Sequence, residues 1–119
     1  MFIISGYRLN IDSLSDSYKL LNELDICSDF EDSVIDKIPN VKVCIYRCPK
    51  ECTLEEAEQA IIDKYFGTME IETQEYGYSE YTIEGFNVEE CKIGNHDLNN
   101  LLYDRENRYT ILTIERIKD

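Results

Sequence analysis

The chain has 119 residues, 25 of them Asp or Glu and 12 Lys or Arg, for a net charge of −13. A hydrophobic share of 43%, with nine Tyr and four Phe against two Pro and five Gly, excludes an acidic disordered tail and supplies material for a core. The carboxylate surplus repels nucleic acid and anionic membranes, and attracts basic protein surfaces from a Debye length of about 8–10 Å.

Residues 1–8 (M-F-I-I-S-G-Y-R) carry apolar side chains but no basic leader, and no segment approaches the length of a membrane span, so a cytoplasmic location is expected. Residues 12–24 place Leu14, Tyr18 and Leu21 at helical spacing after candidate capping residues. Residues 41–48 (V-K-V-C-I-Y-R-C) are rich in β-branched and aromatic side chains and predict a strand. Thr53-Leu54-Glu55-Glu56 is a capping box, and Ala57, Ile61 and Tyr65 extend it into a predicted helix that Gly67 stops. Residues 68–93 predict a meander: Met69, Ile71 and Thr73 alternate with Glu70, Glu72 and Gln74, Gly77 marks a bend, and Glu84-Gly85 forms a turn. Gly94-Asn95 introduces a short helix using Leu98, Leu101 and Leu102, with Asn95 as its cap, and residues 109–117 predict an interior strand. The order β-α-β-α-β-β-β-α-β predicts one α+β domain over residues 1–119, with a mixed or antiparallel sheet of about five to six strands covered by two to three helices.

The negative charge comes in two blocks. Glu23, Asp25, Asp29, Glu31, Asp32 and Asp36 lie between Lys19 and Lys37, and Glu70, Glu72, Glu75, Glu80, Glu84, Glu89 and Glu90 lie between Lys64 and Lys92. On a strand, Glu70 and Glu72 project from one face with roots about 6.8 Å apart, a spacing on the scale of backbone phosphates. Tyr76, Tyr78 and Tyr81 interleave with the second block and supply rigid contact area. The expected partner is therefore a protein with a basic, nucleic-acid-binding surface, met by Glu70, Glu72, Glu75, Tyr76, Tyr78, Glu80, Tyr81, Glu84, Glu89 and Glu90. The bland alternative is a generic interaction module that is acidic only for solubility.

Catalytic patterns are sparse, and neither a catalytic residue nor a cofactor is expected. Five Cys at 27, 44, 48, 52 and 91 predict reduced, packed thiols in a cytosolic chain. The C-x3-C-x3-C run at Cys44, Cys48 and Cys52 invites a metal reading with Cys91 and His96. However, strand residues four apart stand about 13 Å from each other, too far to share an ion. Cys48 and Cys52, bridging Pro49, are able to approach across a turn. His96 alone excludes sites that need several imidazoles. Glu90-Cys91-Lys92 matches the E-x-K half of a metal-dependent nuclease core, with Glu80 or Glu84 as the further acid, which makes a small metal-dependent hydrolase or nuclease the third reading. No D-x-[DN]-x-[DN]-G calcium loop is present.

The closing stretch, residues 92–117 (K-I-G-N-H-D-L-N-N-L-L-Y-D-R-E-N-R-Y-T-I-L-T-I-E-R-I), resembles the endings of short reading frames of phages and mobile elements in low-GC bacteria. In size and acidity the whole chain is similar to small anti-CRISPR inhibitors. That resemblance implies a non-enzymatic protein that blocks a CRISPR effector or another defence nuclease, and it carries no residue roles with it.

Overall fold

Period-two alternation, rather than helical spacing, governs most of the chain. The computed structural model describes residues 1–10, 17–24, 34–59, 61–76 and 85–117. Along it run β1 (Phe2–Gly6), α1 (Ser17–Glu23), β2 (Val34–Cys48), α2 (Leu54–Ala57), β3 (Ile61–Tyr76), β4 (Gly85–Ile93), β5 (His96–Asp97), α3 (Leu98–Leu102) and β6 (Tyr109–Arg116). The strands form one sheet in the order β1-β6-β2-β3-β4-β5, and every neighbouring pair is antiparallel.

The proportions correct the expectation of an α+β domain with a helix-covered sheet. Strands β2 and β3 have 15 and 16 residues, whereas the helices have seven, four and five, about one or two turns each. The largest departure is at residues 61–67, expected to be helical. Ile61, Ile62, Tyr65 and Phe66 are β-branched or aromatic, and the segment pairs with β2 from Ile61↔Arg47 to Gly67↔Val41. Cross-strand packing overrides the i, i+4 coincidence of Ala57, Ile61 and Tyr65. Gly67 sits inside β3 and stops nothing. The capping box itself forms: Glu56 N donates to Thr53 Oγ1 at 3.3 Å and Thr53 N to Glu56 Oε1 at 3.1 Å. It opens only the single turn of α2.

On the inner face, Val41, Val43 and Ile45 of β2 pack with Leu112 and Ile114 of β6, Met69 and Ile71 of β3, and Cys91 and Ile93 of β4. Leu20 and Leu24, and Leu98 and Leu102 of α3, close over them. Burying each such side chain contributes about 1.5–3 kcal/mol relative to leaving it exposed. A smaller cluster on the opposite face joins Cys48, Ala57, Tyr109 and Ile111.

Two irregularities shape the long strands. Pro39 and Asn40 interrupt the β2–β3 register between Ile38 and Val41, with Asn40 at φ 59°. Between Glu72↔Glu90 and Thr73↔Val88, β4 carries one extra residue, Glu89, which returns buried Val88 to the inner face. Pairing of β2 with β6 begins at Val41↔Arg116, so residues 34–38 extend past β6 and form, with β3 and β4, a three-stranded wing.

The cysteines depart from the all-thiol expectation. Cys48 and Cys52 form a disulfide with Cα atoms 6.8 Å apart, and Cys44 and Cys91 are free and buried. Cys27 lies outside the described residues. Among the described residues no helix is long and apolar enough to cross a membrane.

Candidate functional site

The wing places Glu70 and Glu72 of β3 beside Glu90 and Lys92 of β4 on the outer face. Alternation sends Met69 and Ile71 inward, which turns both glutamates outward, half-buried. The antiparallel register sets Glu70 opposite Lys92 and Glu72 opposite Glu90, and these four side chains line a shallow depression. The bulge at Glu89 is needed for this arrangement, because it lets β4 present Glu90 outward and Val88 inward with a single residue between them.

Charge on this face is partly compensated. Lys92 Nζ meets Glu90 Oε1 at 2.9 Å. That hydrogen bond and the charge of Glu90, with Glu70 and Asp97 beyond, hold the Lys92 ammonium above its ordinary pKa. Across the sheet, Lys37↔Glu70, Glu70↔Lys92 and Lys92↔Asp97 are successive register partners, a row of alternating sign. Two residues along, Glu72 and Glu90 oppose each other as like charges. Such pairs are unfavourable by about 0.2–1 kcal/mol. Lys37 entered the sequence reading only as the end of a charge block, and its strand parity relative to buried Ile38 was the signal that would have found it.

The other expected contact residues are distributed as follows. Glu75 and Tyr76 end β3 opposite Phe86 and Gly85, and Glu89 is the bulge residue; the side chains of these three are not described. Tyr78, Glu80, Tyr81 and Glu84 lie outside the described residues. Of the first acidic block, Asp36 pairs with Ile71 on the inner side and Glu23 accepts from the Met1 amine at 2.8 Å, so these two do not join this face; Asp25, Asp29, Glu31 and Asp32 lie outside the described residues.

Catalytic alternatives find little geometry. Cys91 of the E-x-K tripeptide points inward, and burial together with the Asp97 charge pushes its thiol up to about 12. His96 is exposed and packs its ring against Tyr65 with centroids 5.3 Å apart. Asp97, not Asn95, is the cap of α3, accepting from Asn99 N at 2.9 Å and Asn100 N at 3.4 Å. Among the described residues no group of three or more His, Cys, Asp or Glu is arranged to hold a metal ion. No protein-family model, curated protein or solved structure matches the chain.

Proposed function

We propose that this chain is a non-enzymatic, acidic binding protein that occupies a basic, nucleic-acid-binding surface of a defence protein, with the outer face of the β3–β4 wing as its contact. The observation that carries the reading is the directly opposed pair Glu72 and Glu90, flanked by Glu70. Glu90 keeps its ion pair with Lys92, and a partner's Arg or Lys set against this face would add opposite charge beside the like-charged register pair. The net charge of −13 adds attraction at longer range. The proposal places the chain in the cytosol. There glutathione and thioredoxin act on the Cys48–Cys52 disulfide, but that pair lies at the opposite end of β2 from the acidic wing.

A second reading has its own observation. The alternating row Lys37, Glu70, Lys92, Asp97 is what a merely solvated sheet face carries, and it favours a general interaction module whose acidity serves solubility. Capture of binders on the immobilised chain from a bacterial lysate, followed by affinity measurement on the purified binder, separates the two. The inhibitor reading expects affinity to fall at least tenfold between about 50 and 200 mM salt, and to fall again in Glu70→Gln/Glu72→Gln/Glu90→Gln. Salt-insensitive binding, unchanged in the triple variant, would falsify it.

A further inference from the structure

At the end of the sheet away from the acidic wing lies a cavity of about 320 Å³, walled by the chain following β1, by α3 and by the turn leading into β6. Its volume is at the lower end for a small-molecule site, with room for roughly ten waters at about 30 Å³ each. Among the described residues, Arg8 and Arg108 line it with Asp104 as the one carboxylate, a basic lining in a chain of net charge −13.

Asp104 is fully engaged. It accepts from Arg108 N at 2.9 Å, Nε at 3.0 Å and Nη2 at 3.2 Å, and from Glu106 N at 3.2 Å. Arg108 is further met by Glu106 at 3.3 Å, so its charge is neutralised within the turn. At the cavity, two guanidiniums have no carboxylate hydrogen-bonded to them among the described residues. One is Arg8, exposed at the cavity wall. The other is Arg47, 6% exposed and directly behind the wall residues Thr110 and Leu102. Among the described residues, Arg47 makes three hydrogen bonds, all to neutral oxygens: Leu102 O at 3.1 Å, Thr110 Oγ1 at 2.7 Å and Leu101 O at 2.7 Å. Asp104 and Asp63 act on this buried charge without a hydrogen bond to it, and an anion in the adjoining cavity would add to their compensation.

The backbone supplies an independent observation. Arg8 and Asn107 hold φ of 55° and 51°, left-handed conformations that non-glycine residues adopt at a cost, and both line this cavity. Leu9, Leu102 and Tyr103 also line the cavity and add apolar surface, which suits an organic body better than a bare ion. We propose that this cavity binds a small organic anion, a carboxylate or a phosphate ester, with Arg8 as its direct ligand and Arg47 as the buried charge behind it.

The test is titration of the isotope-labelled full chain with adenosine monophosphate and, separately, with citrate, followed by backbone amide shifts. The expected result is saturable movement of the Asn10, Asn99, Asn107 and Thr110 amides with at least one probe, weakened tenfold or more in Arg8→Gly, a variant that removes the cation yet accepts the left-handed backbone. Saturation by the nucleotide alone identifies a phosphate ester, by citrate alone a carboxylic acid, and by both the anionic group itself; each supports the site. No saturable shift up to about 10 mM of either probe, shifts abolished by about 150 mM chloride, or equal affinity in a folded Arg8→Gly chain would overturn it.

Discussion

Arg47 and Thr110 are register partners across the β2–β6 ladder, and the Arg47 guanidinium donates to the Thr110 hydroxyl at 2.7 Å. The same fork reaches the carbonyls of Leu101 and Leu102, the last residues of α3, which have no further helical turn to bond. One side chain thereby ties β2, β6 and α3 together. Burial holds its pKa below the ordinary value, opposed by the charge of Asp104. In Arg47→Met the two carbonyls lose their donor while the stem volume is kept. We expect a loss of about 1–3 kcal/mol, read as a lower urea midpoint at unchanged slope.

The Cys48–Cys52 bridge closes a short loop from the end of β2 to the residue before the α2 cap. Chain-entropy arguments for a loop of this size give about 2 kcal/mol. Reduction, or Cys48→Ala/Cys52→Ala, should lower the melting temperature by several degrees. An unchanged melting temperature under dithiothreitol would show that the bridge does not restrict the unfolded chain.

Asp104 predicts the acid limb. Its pKa falls from the ordinary 3.8 to about 2, chiefly through the Arg108 side-chain hydrogen bond. A folded-state pKa below the unfolded one contributes stability above about pH 4, lost progressively as pH falls toward 2. The contribution is of order 1 kcal/mol after solvent screening. Asp104→Asn should therefore be less stable than the parent at pH 7, with the difference closing near pH 2 in matched thermal melts.

Asp36 stands on the inner side opposite Ile71 with Oδ2 buried and unpaired among the described residues. Such an atom carries a desolvation cost of about 1–3 kcal/mol. Asp36→Val suits the strand and should raise stability by about 1 kcal/mol. A fall in the denaturant midpoint would show that the carboxylate has a partner in solution.

Cys91, 2% exposed and with its thiol pushed up to about 12, should resist iodoacetamide at pH 8 in the folded chain and react on unfolding. Mass spectrometry of peptides after native labelling reads this directly. Rapid native modification would mean that β4 opens locally.

Where sequence pattern and pairing agreed, elements were legible. Residues 41–48 and 109–116 are strands because their alternation matches a sheet buried on one side and half-covered on the other. The Thr53–Glu56 box marked a true helix start, but its length was misjudged because Ile61 and Tyr65 satisfy a four-residue spacing that β2 recruits into a ladder. Residues 34–40 were missed because Asp36, Pro39 and Asn40 break the alternation; the bulge absorbs Pro39 and Asn40. In the candidate site, the common face of Glu70 and Glu72 followed from period two alone. The arrival of Glu90 depended on the Glu89 bulge, and the flanking lysines depended on register, neither of which is local. Arg47 carried a readable signal: it shares parity with Val41, Val43 and Ile45 and so had to turn inward.

β6, the last strand in the chain, lies between β1, the first, and β2. Each of its neighbours keeps one edge of backbone donors and acceptors unanswered until residues 109–116 have been synthesised and inserted. Pairing β1 with β6 thus closes a loop of roughly 100 residues, a long-range contact of the kind that slows folding. Until that insertion, the apolar rows of β1 and β2 are open templates for intermolecular pairing.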